Sequence, residues 1–171
     1  MGAIRLFVSH AHKDKLIAMA LVDVIEAALE APNRAILCTS HDDPKYREPD
    51  NVNISKYLRE HLSESGCVLG VLTPNSIKSP WCLFELGGAW AKVTQTYPLL
   101  AGGLSKESLP AALKGKDAAQ LTEPEDIRRV LADISEILKW KMRSTGSAAT
   151  RIDDLIEVVQ EYSWNSSPQL S

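Results

Sequence analysis

An α/β fold of about five parallel strands, doubly wound with helices on both faces, is what this sequence predicts, and two observations predict it. Short β-prone apolar runs alternate with stretches whose apolar residues recur at helical period, the pattern of a parallel sheet joined by crossover helices. One of those runs, Cys67-Val68-Leu69-Gly70-Val71-Leu72, is continuously apolar, as a strand covered on both faces must be.

The elements follow in order. Ile4-Arg5-Leu6-Phe7-Val8-Ser9 is the first strand. Leu16, Ile17, Ala20, Leu21, Val24, Ile25, Ala28 and Leu29 form the stripe of a first helix, with Asp14 placed to favour its N-terminus. Ala35 to Thr39 is a second strand, and a long polar loop runs from about Ser40 to Val52. Asn53 is set to cap an element in which Ile54, Tyr57, Leu58, His61 and Leu62 share one face. After the Cys67–Leu72 strand, Thr73-Pro74-Asn75 breaks the chain, and a helix is expected between Pro80 and Val93. Tyr97-Pro98-Leu99-Leu100 is a fourth strand, Pro98 arguing for its start or an irregular edge. Ala118 to Leu121 is a weak fifth. Thr122 and Glu125 match a capping box before the stripe Ile127, Val130, Leu131, Ile134, Ile137 and Leu138. Residues 1–140 thus make one domain. Residues 141–171 read as a linker, a short amphipathic helix around Ile152–Val159, and a disordered Ser/Pro-containing tail that leads on, if the chain is a piece of a longer protein, into another domain.

Composition narrows the function. The chain has 171 residues, enough for one substantial core without disulfides or metal. Its formal net charge is -3 and no stretch is strongly basic, which argues against direct nucleic-acid binding. No charged start precedes a long apolar run, so neither a leader nor a membrane span is expected. Cys38, Cys67 and Cys82 are an odd set without a CxxC pair, read as reduced, mostly buried thiols in a cytoplasmic protein.

In an open parallel sheet, ligands bind beyond the carboxyl ends of the strands. Ser9-His10, Thr39-Ser40-His41 and Thr73 fall at those ends. Trp81 and Glu85, four residues apart, share a helical face. Gly87-Gly88 inside that helix costs roughly 1 kcal/mol per glycine relative to alanine, which points to close backbone approach. Each feature has a plainer reading. On spacing alone Glu85 is a solvated helix acid, Trp81 and Trp90 are core, Ser9 caps a turn, and Lys13, Lys15, Lys45 and Arg47 are surface charges. His10 and His12 form a His-x-His, but no third ligand stands at a recognisable spacing, so no metal is expected.

Phe7-Val8-Ser9-His10 resembles the opening motif of TIR domains. Ser79-Pro80-Trp81-Cys82-Leu83-Phe84-Glu85-Leu86 is similar to that family's helix bearing the Trp-x-x-x-Glu pattern, and Leu72-Thr73-Pro74-Asn75 resembles the segment before it. The Ser40–Val52 loop occupies the place of the family's mobile loop, but reads Arg47-Glu48-Pro49-Asp50-Asn51 where Pro-Gly is usual; Asn tolerates the positive φ a glycine would supply. The resemblance covers roughly residues 3–140.

It implies a flavodoxin-like fold and cleavage of NAD at the nicotinamide–ribose bond, with NAD as substrate rather than cofactor. Glu85 would then be catalytic. Trp81, or Phe7 and Val8 at the strand end, would wall the nicotinamide, and Ser9, His10 and Ser40 would hydrogen-bond ribose or phosphate. It also implies self-association through TIR–TIR contacts and a role in immune or antiphage defence. The polar loop, with Pro44 and Pro49 but little apolar anchorage, is expected to be mobile in a monomer and to order over the Glu85 pocket on assembly. Two rivals stand beside this. One is a non-catalytic TIR signalling module acting by homotypic interaction; the other is a related nucleoside-modifying enzyme, which would need a second catalytic acid that the sequence does not offer.

Overall fold

The sheet is parallel throughout, with strand order β2-β1-β3-β4-β5. The strands are β1 (Leu6–Ser9), β2 (Ile36–Leu37), β3 (Cys67–Leu72), β4 (Gln95–Leu100) and β5 (Ala119–Gln120). Helices among the described residues include α1 (Lys15–Ala28), α2 (Pro124–Leu138) and α3 (Ser147–Glu161). This computed structural model describes residues 4–53, 56–57, 60–61, 66–79, 95–109, 111–114, 117–144 and 146–162. The helix expected between Pro80 and Val93, with Trp81, Cys82, Glu85 and Gly87-Gly88, lies outside the described residues, as does the tail after Tyr162.

Alternation along the strands divides the core between two faces. Leu6 and Val8 of β1, Cys67, Leu69 and Val71 of β3, and Tyr97 and Leu99 of β4 join α1, α2 and α3 in the larger cluster. Phe7 and Val68 face the other way with Ile4, Leu37 and Tyr57, and Leu72 and Leu100 meet Leu109 and Leu113 there. All six residues of β3 are buried, as its unbroken apolar run predicts. Cys38 and Cys67 are buried thiols, and burial pushes each up to about 12.

Three local expectations are corrected. The buried face of α1 includes Ala18 and Val22 and leaves Leu16 61% exposed, because the helix meets both the sheet and α3. Pro98 is not at the start or edge of its strand: β4 is interior, and Pro98 pairs in register with Gly70 of β3. The site tolerates it because Leu100 O accepts from Leu121 N on the β5 side. Two residues back, Pro98 faces that same side, before β5 pairing begins at Leu99. Thr122 and Glu125 form no capping box; α2 starts at Pro124 with Glu123 before it and no side-chain cap. Proline at the first helical position needs no N–H partner, and Asp126 instead turns its carboxylate outward to accept the Gln120 N–H at 2.8 Å.

Asn53 does cap the turn that follows it, its Oδ1 accepting the Lys56 N–H at 3.0 Å. One turn apart, the Tyr57 and His61 rings stack at 4.0 Å. The C-terminal helix is longer than the Ile152–Val159 stripe and lies along α1, with Ile152, Leu155 and Val159 in the larger core. The segment leading to it is tied down as well. Arg143 donates its backbone N–H to Ala28 O at 2.7 Å, and its Nε donates to Glu26 O and Leu29 O at 3.1 Å. Those bonds satisfy carbonyls that the end of α1 leaves open.

Candidate functional site

β1 lies between β2 and β3, so the loops after all three strands emerge side by side. Their residues build two hydrogen-bonded groups. In the first, His10 joins the end of β1 to the loop after β2. Its Nδ1 lies 3.2 Å from Val8 O, and its Nε2 meets Ser40 Oγ. A carbonyl only accepts, so Nδ1 carries the proton and Nε2 offers its lone pair to the Ser40 hydroxyl. Burial lowers the pKa of His10, opposed by the Val8 hydrogen bond and the Asp14 charge. His10 is 8% exposed, while Ser40 is partly open to solvent.

Asp14 anchors the second group. It stands at the N-cap position of α1, as the sequence suggests, but its side chain makes no cap bond. Its fully buried carboxylate accepts from Thr73 Oγ1 at 2.6 Å and from Asn75 Nδ2 at 2.8 Å. Thr73 Oγ1 in turn accepts the backbone N–H groups of Asn75 and Ser76, at 3.1 and 3.0 Å. Its single proton is therefore committed to Asp14. This knot pins the turn after β1 to the turn after β3. From the far end of the chain, the Tyr162 hydroxyl donates to Lys13 O at 2.5 Å, so the residue after α3 closes on the same turn. Burial raises the Tyr162 pKa.

The Ser40–Val52 loop is better anchored than its polarity implies. Tyr46, 7% exposed, belongs to the larger core, and its carbonyl accepts the Cys38 N–H at 2.7 Å. Its ring packs 4.3 Å from that of His41. Lys15 of α1 pairs with Asp42 at 2.5 Å, and Lys45 approaches Glu26 at 3.7 Å. The expectation of little apolar anchorage fails on one residue, because a single buried tyrosine in a polar stretch leaves no periodic signal. Asn51 does adopt a positive φ of 63°, as its place in the loop suggests. His41 Nδ1 accepts the Asp43 N–H at 3.0 Å, which leaves the proton on Nε2. That atom is buried with no hydrogen-bond partner, and burial lowers the pKa of the ring.

Of the residues singled out in the sequence, His10 and Ser40 are in direct contact. Ser9 precedes them, buried, in register with Gly70 of β3. Phe7 and Val8 sit at the same strand end but turn their side chains into the core on opposite faces of the sheet. Trp81 and Glu85 lie outside the described residues. Sequence reasoning placed Asp14 at the start of α1 but missed its bonds to Thr73 and Asn75, and missed Tyr162 altogether. Among the described residues no three His, Cys, Asp or Glu side chains group closely enough to hold a metal, and no helix is long and apolar enough to cross a membrane.

Comparison with known proteins adds three findings. A family model described as TIR domain matches residues 6–132. The uncharacterized protein YddK of Bacillus subtilis (strain 168) is 30% identical over 123 residues, 72% of this chain. The match spans 45% of that relative's length. The crystal structure of the TIR domain of the Toll-related receptor TRR-2 from Hydra magnipapillata superposes with a TM-score of 0.58 at 18% identity, covering 75% of this chain and 96% of the other. That likeness is one of fold.

Proposed function

The chain belongs to the TIR domain family, and on that footing we propose that it is an NAD glycohydrolase or cyclase, releasing nicotinamide and an ADP-ribose product. The observation that carries the reading is the Trp81–Glu85 run in a chain whose His10 and Ser40 meet beyond the carboxyl ends of β1 and β2, the end of a parallel sheet at which ligands generally bind.

The chemistry asks little of the protein beyond this. Nicotinamide in NAD is already a cationic leaving group and departs without being protonated. One carboxylate then suffices where ordinary glycosidases use two. Glu85 holds the ribose hydroxyls and stabilises the oxocarbenium charge as the C–N bond breaks. Trp81 supplies an apolar wall for the nicotinamide ring, and Ser40 faces the ribose from the β2 side. Self-association through TIR–TIR contacts completes the site, and a competent state that is a minor population in the monomer gains activity in proportion as assembly fills it.

The test is to incubate the purified chain with NAD over a wide range of protein concentrations and follow nicotinamide and ADP-ribose by chromatography. Nicotinamide is expected in equal amount to ADP-ribose plus any cyclic product, with specific activity rising with protein concentration. No release at any concentration, while the chain self-associates, would return the non-catalytic interaction module.

A further inference from the structure

We propose that His10 is the general base for water in the hydrolytic step, acting through the hydroxyl of Ser40; the proposal rests on the NAD-cleaving reading above. Its ground is the orientation of the pair. Val8 O holds the proton of His10 on Nδ1, which leaves Nε2 as an acceptor, and the Ser40 hydroxyl is the group aimed at it. His10 itself is nearly enclosed, whereas Ser40 is partly open. A proton taken from the solvent-facing side of the pair therefore reaches the imidazole by way of Ser40. Two flanking groups bear on the ring, Asp14 favouring its protonated form and His12 opposing it. Burial, with His12 acting in the same direction, outweighs the Val8 hydrogen bond and the Asp14 charge and keeps His10 neutral, and so able to accept, near pH 7.

The balance is simple. Nicotinamide leaves with the electron pair of the C–N bond, and a lone pair of water forms the new bond to the ribose anomeric carbon. One water proton moves to Ser40 Oγ as the serine's own proton moves to His10 Nε2. The imidazolium returns that proton to solvent by the same path. The sum is NAD plus water giving nicotinamide, ADP-ribose and one proton. Glu85 stabilises charge in the first half of this sequence; in the second, His10 and Ser40 take the water proton.

That division makes the proposal separable from the reading it rests on. A pyridine base such as 3-acetylpyridine attacks the same carbon through a nitrogen lone pair and has no proton to lose. Base exchange therefore needs no general base, while hydrolysis does. The experiment supplies NAD together with 3-acetylpyridine and measures ADP-ribose and the exchanged dinucleotide for the wild type, His10→Asn, Ser40→Ala and Glu85→Gln. His10→Asn retains a side-chain N–H for Val8 O and removes the acceptor of the Ser40 proton. Ser40→Ala removes the relay with little demand on the fold, and thermal unfolding monitors both variants.

The ratio of ADP-ribose to exchange product is expected to fall about 10²-fold in both variants, while Glu85→Gln lowers the two products together. Parallel loss of both products in His10→Asn and Ser40→Ala, with the ratio unchanged, would overturn the general-base assignment and leave the NAD reading standing. A wild-type protein that makes neither product would overturn both.

Discussion

Replacing Asp14 with alanine asks whether the knot between the β1 and β3 turns holds the candidate site in place. The carboxylate is fully buried and accepts two side-chain donors, Thr73 Oγ1 at 2.6 Å and Asn75 Nδ2 at 2.8 Å. Hydrogen bonds to charged groups contribute about 1.5–3 kcal/mol each, and a buried donor left without a partner costs about 1–3 kcal/mol. The two partners would not suffer equally. Asn75 is partly exposed and recovers water. Thr73 is fully buried, and its oxygen is already held by two backbone N–H groups, so its proton has nowhere else to turn. With Asn75 compensated by water, the charged hydrogen bond lost and the donor stranded at Thr73 sum to about 2.5–6 kcal/mol, equivalent to roughly 5–25 °C in Tm for a chain of this size. Urea unfolding followed by circular dichroism measures it. Asp42→Ala, which removes the exposed pair with Lys15, is the control and is expected to leave the unfolding curve close to that of the wild type. An Asp14→Ala variant that loses no more than this control would refute the reasoning.

Three further predictions follow from the same geometry. His10 and His41 both have pKa values lowered by burial, so the unfolded chain binds more protons than the folded one below its value of 6.5. Their contribution to stability is therefore complete above pH 6.5 and is lost as pH falls through the lowered folded values, with a slope of up to about 1.4 kcal/mol per pH unit for each group. Protonating His41 would also turn Nδ1 into a donor facing the Asp43 N–H; His41→Asn, which retains an acceptor there, is expected to flatten the slope between pH 6.5 and 5 in urea titrations. Tyr46→Ala is expected to cost about 3–5 kcal/mol and to speed proteolysis within residues 40–52, and cleavage at the wild-type rate would show that Tyr46 does not anchor the loop. Leu21→Ala is expected to cost about 2–5 kcal/mol and Leu16→Ala within about 0.5 kcal/mol, and equal losses in urea titration would contradict the assigned faces of α1.

The contrast between what could and could not be read from the chain is one of range. β3 was legible residue for residue, because burial on both faces imposes an unbroken apolar run. The stripe of α2 was legible because it repeats, and the Asn53 cap because its partner is three residues away. The ends of β1 and β2, with Ser9, His10 and Ser40, were legible as positions from topology alone. What escaped depends on partners distant in sequence. Asp14 reads locally as a helix cap, and its actual donor Thr73 is 59 residues away. Tyr162 bonds to a backbone carbonyl 149 residues away, and no sequence pattern encodes that contact. Pro98 misled for the opposite reason, since a local rule about proline in strands yielded to where β5 begins. Tyr46 carries the anchorage of its loop alone, too sparsely for any period to reveal.

The central claim is that Glu85 cleaves NAD, and the most direct measurement is free nicotinamide released by the wild type and by Glu85→Gln at equal, high protein concentration. Glutamine retains size and hydrogen-bonding capacity but cannot stabilise the oxocarbenium charge. The account predicts that release falls by about 10²-fold or more while the unfolding curve is unchanged. A folded Glu85→Gln protein that releases nicotinamide at the wild-type rate would contradict it.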